Sequence, residues 1–151
     1  MRRREMILAT TAALVGAAPH QPQTFTYKKL AGCEIKLDVF RAPGNAPKPV
    51  AVWIHGGALI FGSRQKSPNS PLVRTLLNAG FTLVSIDYRL APETKLPGIF
   101  DDVSDAFQCI RTNAESVGID PKRAVVCGGS AGGYLTLMTG FALSPRPKAL
   151  A

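Results

Sequence analysis

The chain is poor in what several functional classes require. Its 151 residues hold three cysteines, Cys33, Cys109 and Cys127, an odd number whose spacings suit neither a zinc site nor a redox pair. No metal is expected from them. Cys127 lies in an apolar run and reads as a small buried thiol, while a Cys33 to Cys109 disulfide is left open. The formal net charge is +8, yet the lysines and arginines are scattered and never interleaved with aromatics, which argues against a nucleic-acid partner. No predominantly apolar run reaches the ~20 residues that cross a bilayer, so no stable membrane span is expected. The glycine-rich segment Gly128 to Gly133 lacks the Gly-Lys-Ser/Thr ending of a phosphate-binding loop, and no cofactor is expected. Residues 131–151 contain no Asp, Glu or His.

What is present is enough for one domain. With 46% hydrophobic residues the chain can bury a real core, but it is too short for two comfortable domains. Residues 1–17 stand apart. Arg2, Arg3 and Arg4 precede an uncharged run that ends in small residues, with Val15 and Ala17 before a cut that would leave Ala18 first. This is the form of a secretory signal peptide, so export to the periplasm or the exterior is expected. Residues 18–24 read as a Pro/Gln-rich linker and residues 25–151 as the folded domain.

Within that domain, Phe25 to Leu30 and Glu34 to Phe40 alternate apolar and polar residues, as an antiparallel edge hairpin with one wet face does. Val50 to Ile54 and Phe81 to Asp87 are nearly continuous apolar runs, suited to strands covered on both faces. Leu72 to Ala79 has helix start and stop signals. A longer helix is expected from about Ile99 to Ser116, with Asp101, Asp102 and Asp105 in its early turns favoured by the macrodipole. Strands alternating with helices imply a parallel sheet with helices on both faces.

The most informative stretch is Val125 to Tyr134. An apolar β-prone run ends at Gly128, a serine sits between small residues, and a helix-compatible run follows at once. Gly128-x-Ser130-x-Gly132 has the form of a nucleophile elbow, in which a serine on a sharp strand-to-helix turn needs neighbours without bulk. Ser130 is the candidate nucleophile, with Gly128 and Gly132 as the elbow glycines.

Three blocks in order, Trp53-Ile54-His55-Gly56-Gly57-Ala58, Asp87-Tyr88-Arg89-Leu90-Ala91-Pro92-Glu93 and Gly128-Gly129-Ser130-Ala131-Gly132-Gly133, resemble the α/β-hydrolase superfamily. Within it they are similar to carboxylesterases related to hormone-sensitive lipase and to the acetyl-xylan or feruloyl esterase-like group. The resemblance implies an α/β-hydrolase fold, a mostly parallel sheet flanked by helices, cut off after the elbow helix. It also implies a serine ester hydrolase acting on a small-molecule ester through an acyl-enzyme at Ser130. The oxyanion hole would come from Gly56, Gly57 and Ala131, and His55 would brace that loop through hydrogen bonds rather than act as the base. The Asp87 to Glu93 block would pack and hydrogen-bond beneath the site. Ala58 stands where many lipase-type relatives have a third glycine.

The resemblance spans residues 25–151, about the amino-terminal half of a complete member. The triad order of this fold is Ser, then Asp or Glu, then His, and neither partner follows Ser130, so a truncated chain of low activity is expected. The alternatives are a non-catalytic ligand-binding protein on the same scaffold and a serine peptidase of the prolyl-oligopeptidase type. For export, intact-mass analysis of the secreted protein should show residues 1–17 absent; a full-length cytoplasmic product would contradict it.

Overall fold

The computed structural model describes residues 21–151, so the expected export segment 1–17 lies outside the described residues. Six strands form one sheet: β1 (Gln23–Leu30), β2 (Cys33–Phe40), β3 (Lys48–Ile54), β4 (Thr82–Ile86), β5 (Ile119–Gly128) and β6 (Ala149–Leu150), in the order β1-β2-β4-β3-β5-β6. β1 and β2 form an antiparallel edge hairpin, and β2 runs antiparallel to β4. β4, β3, β5 and β6 are mutually parallel. The crossovers carry α1 (Pro71–Asn78), α2 (Leu96–Thr112) with the short α3 (Ala114–Val117), and α4 (Ala131–Ala142), while a 3-10 turn spans Arg64–Asn69.

Successive side chains of a strand point to opposite faces, and the apolar run of β3 therefore serves two cores. Ala51 packs with Leu83 and with Val73 of α1, joined by Trp53, Leu76 and Leu77. Val50, Val52 and Ile54 face the other way, into the larger core formed with Val84, Ile86 and Val126 and roofed by Val103, Phe107 and Leu135 of α2 and α4. All five residues of β4 are buried, as a strand covered on both faces requires. On the outer side of α4, Leu137 and Phe141 are exposed, Phe141 by 78%.

Several elements differ from the sequence-based expectation. β1 starts at Gln23 and takes two residues read as linker. The helix expected over 99–116 is two helices. Pro97 sits in the first turn of α2, where a missing N–H costs nothing, and the side chain of Asn113 turns back to Cys109 O (2.8 Å) at its end, the local competition that disfavours Asn inside helices. The macrodipole role expected for Asp101, Asp102 and Asp105 is not found, because the helix begins earlier and no acid lies in its first turn. The face of β2 expected to be wet is closed at Asp38, which is 3% exposed and takes a hydrogen bond from the Thr24 hydroxyl (2.6 Å) and an ion pair from Arg64 (3.0 Å). All three cysteines are free, so the Cys33 to Cys109 disulfide does not form.

Asp102 is fully buried and ties three segments together. Its carboxylate accepts from Arg89 Nε and Nη2 (both 2.7 Å) and pairs with Lys28 (2.7 Å), which also reaches Asp105. Tyr27, also in β1, donates its hydroxyl to the Asp87 carbonyl (2.7 Å). Burial alone would push the Asp102 pKa up, but the hydrogen bonds from Arg89 and Lys28 outweigh it and hold the carboxyl below its ordinary value. A depressed carboxylate pKa contributes stability that is present above the unfolded value, about 3.9, and lost as pH falls through the folded one. Asp102→Ala is expected to cost about 3 kcal/mol at neutral pH, the low end for a broken buried pair because Lys28 and Arg89 retain water contact. Its deficit relative to the parent should shrink below pH 4 in denaturant titrations; a pH-independent deficit would contradict the ionic account.

Candidate functional site

The sheet delivers two chain segments to the same place. β3 and β5 are adjacent and parallel, with Ile54 beside Gly128 in the register, so the loop after β3 and the turn after β5 emerge side by side. At the second of these, Ser130 sits between the end of β5 and the first residue of α4 with φ 56° and ψ −122°. A non-glycine residue pays about 1–3 kcal/mol for such a backbone. The turn is held by Gly132 N–H to Gly129 O (2.9 Å) and Tyr134 N–H to Ser130 O (3.1 Å). Ser130 itself is exposed.

The elbow glycines are required by crowding. A Cβ on Gly128 would lie 2.6 Å from Ile54 O, and one on Gly132 would meet Ile54 O and lie 2.7 Å from His55 O. The helix therefore starts directly against the end of β3. Gly56 lies against the serine turn, where an added Cβ would sit 2.6 Å from Gly129 O and 3.4 Å from Ser130 Cβ. Gly57 has φ 117°, and its carbonyl accepts from Ile60 N–H (2.9 Å) and Phe61 N–H (3.0 Å). Ala58 and Leu59 both have positive φ, so the loop turns sharply just past the two glycines. Ala131 is the first residue of α4, where backbone N–H groups lack helical partners and favour negative charge. Ser130, Gly56, Ala131, Gly128 and Gly132 thus converge, with Gly57 one residue further along the loop.

His55 is buried, and its Nδ1 lies 2.8 Å from Gly56 O; a carbonyl only accepts, so Nδ1 carries the proton. The imidazole stacks on Tyr88 with ring centroids 4.2 Å apart and planes 10° from parallel. Burial pushes its pKa down, more than the Gly56 hydrogen bond raises it. The ring is therefore neutral at pH 7, with Nδ1 on Gly56 O and one face on Tyr88.

The segment after β4 grips the loop along its length. Tyr88 donates its hydroxyl to His55 O (2.7 Å), Ala91 N–H reaches Leu59 O (2.8 Å), and Asp87 accepts from Arg64 N–H (2.7 Å) and its guanidinium. Ser85 donates to Arg64 O (2.7 Å). Sequence reasoning placed the Asp87 to Glu93 block beneath the site but missed Arg64 and Asp38. Arg64 carried a faint signal as the lone charge after a long neutral stretch from Val50; Asp38 carried none, since it sits at a polar position of an alternating strand. A cleft of about 210 Å³ opens beside the loop, lined by Trp53, His55, Gly57, Phe61, Ser63 and Lys66. Among the described residues no cluster of His, Cys, Asp or Glu could hold a metal, and no helix is long and apolar enough to cross a membrane.

The strained serine is a stability cost the fold carries. Ser130→Gly should relieve it and stabilise the chain by about 1 kcal/mol, raising the thermal midpoint by about 3 °C for a chain of this length. A lowered midpoint would contradict the strain.

The chain is similar to known proteins in sequence and in fold. The family model described as BD-FAE matches residues 37–146. An AB hydrolase superfamily protein of Schizosaccharomyces pombe is 34% identical over 112 residues, covering 72% of this chain and 33% of that protein. The non-reducing polyketide synthase pkbA of Emericella nidulans is 39% identical over 144 residues, 85% of this chain and 6% of that much longer protein. Among solved structures, the thermophilic carboxylesterase EstE1 from a metagenomic library superposes with a TM-score of 0.74 at 28% identity, over 88% of this chain and 46% of that one. The chain spans less than half the length of each of these relatives. It belongs to the BD-FAE family and has the α/β-hydrolase fold of esterases.

Proposed function

We propose that the protein is a serine carboxylic-ester hydrolase acting on small esters. The observation that carries the reading is the left-handed Ser130 with the Gly56 backbone packed against it; the likeness to a solved carboxylesterase supports it. In this chemistry Ser130 Oγ attacks the ester carbonyl carbon, its proton passes to a base, and the carbonyl oxygen gains negative charge. The N–H groups of Gly56, Gly57 and Ala131 stabilise that oxygen, at about 3 kcal/mol per well-placed donor. Collapse expels the alcohol, and water then releases the acid from the acyl-serine.

A serine hydroxyl is a weak nucleophile until a base takes its proton. The one histidine among the described residues is committed to Gly56 and Tyr88, and no Asp, Glu or His lies in 131–151. The 151-residue chain by itself is therefore a slow esterase, with the oxyanion donors alone giving about 10³–10⁴ over water. That commitment of His55 is also the observation that favours a second reading, a ligand-binding protein on the hydrolase scaffold.

The test is hydrolysis of p-nitrophenyl acetate by the purified chain and its Ser130→Ala variant. Slow hydrolysis lost in the variant supports the esterase reading. Hydrolysis identical in the two removes Ser130 as nucleophile and leaves the binding reading. Turnover like that of an ordinary esterase, abolished by the substitution, would show that a base acts within this chain and overturn the account of His55.

A further inference from the structure

We propose that Tyr88 is the positioning residue of the oxyanion loop, setting the direction of both loop donors through one hydroxyl and one ring face. A trans peptide unit is planar, with its C=O and the following N–H pointing in opposite directions, so holding the oxygen fixes the N–H. The Gly56 N–H belongs to the unit whose oxygen is His55 O, and that oxygen accepts the Tyr88 hydroxyl at 2.7 Å. The Gly57 N–H belongs to the next unit, whose oxygen is Gly56 O, held at 2.8 Å by His55 Nδ1. The imidazole that supplies Nδ1 lies flat on the Tyr88 ring.

Tyr88 thus acts on the first donor directly and on the second through His55. It is suited to the task because it is itself immobile: 4% exposed, between Asp87, which holds Arg64, and Arg89, which is locked on Asp102. The loop needs such a device because Ala58 and Leu59 hold positive φ, a backbone that relaxes unless its surroundings fix it. Tyr88 touches no reacting atom in this arrangement. The catalytic consequence rests on the esterase reading, whereas the loop geometry does not.

Tyr88→Phe keeps the ring and removes the hydroxyl. Thr139→Val is the matched control, since it deletes a buried hydroxyl bonded to a carbonyl at the same distance, Thr136 O (2.7 Å), near the end of α4 far from the loop. Two readouts separate the claims. Amide hydrogen exchange at Ile60 and Phe61, whose N–H groups close on Gly57 O, reports the loop; the rate of Ser130 labelling by a fluorophosphonate reports the oxyanion donors. The loss of one hydrogen bond is worth about a factor of ten, so Tyr88→Phe should speed exchange at these two amides and slow labelling by about tenfold each, while Thr139→Val changes neither. Faster exchange in Tyr88→Phe with labelling that does not require Ser130 would uphold the positioning role and sink the esterase reading. Unchanged exchange in Tyr88→Phe, or equal changes in both variants, would overturn the proposal. If Tyr88→Phe does not fold, proton NMR of the unmodified chain decides. A slowly exchanging Tyr88 hydroxyl proton close to His55 supports the role, and a hydroxyl in fast exchange with water overturns it.

Discussion

The structure depends on one close approach, the end of β3 against the turn after β5. Ile54 O and His55 O sit where side chains of Gly128 and Gly132 would otherwise be, and the parallel register of β3 and β5 brings the two strand ends level. Everything distinctive at the site follows from that contact. The serine must take a left-handed backbone because strand and helix meet with almost no room between them. Gly56 must lack a side chain because it passes directly over Gly129 and Ser130, and Gly57 because its φ is positive and Phe61 O fills the space of a Cβ. A bulky residue at Gly132 would push α4 away from β3 and separate the serine from the loop. Crowding of backbone on backbone, with side chains removed by the sequence, is what brings the loop after β3 against the serine turn.

A second layer keeps the loop from springing open. Three carboxylates, Asp38, Asp87 and Asp102, are set under the site opposite Arg64, Arg89 and Lys28. The arrangement fastens β2, the segment after β4, α2 and the edge hairpin to one another. Ion pairs at an exposed surface contribute little, but Asp38 and Asp102 are almost wholly shielded from water, where breaking a pair is costly. These pairs therefore act less as a general source of stability than as a means of holding the stretch from His55 to Arg64 in one shape. The loop after β3 is held by residues that lie outside the serine turn.

Much of this was legible in the sequence where the determinant is local. The runs at Val50 to Ile54 and Phe81 to Asp87 announce covered strands, and Gly128, Ser130 and Gly132 announce the turn because sterics dictate those residue types within five positions. Gly56 and Gly57 could be matched to the serine only through the resemblance, yet the fold brings Gly56 to it. What escaped were determinants that lie far apart in the chain. The Tyr88 hydroxyl finds a carbonyl 33 positions earlier, and Asp38 meets Arg64 across the sheet; neither pairing leaves a periodic trace. The break at Asn113 escaped for another reason, a side chain reaching its own helix, which hydrophobic spacing does not register. Asp102 was seen but misread, since an acid near a helix start suggests a macrodipole role until the helix is found to begin earlier.

The most direct test of the account is a crystal structure of the chain with Ser130 phosphonylated by a small alkyl fluorophosphonate, which places a tetrahedral oxygen where the oxyanion of acyl transfer would form. The account predicts that this oxygen lies about 2.7–3.1 Å from the backbone nitrogens of Gly56, Gly57 and Ala131, with the Tyr88 hydroxyl still on His55 O. An adduct whose oxygens point to solvent, with the glycine nitrogens turned away from Ser130, would contradict it.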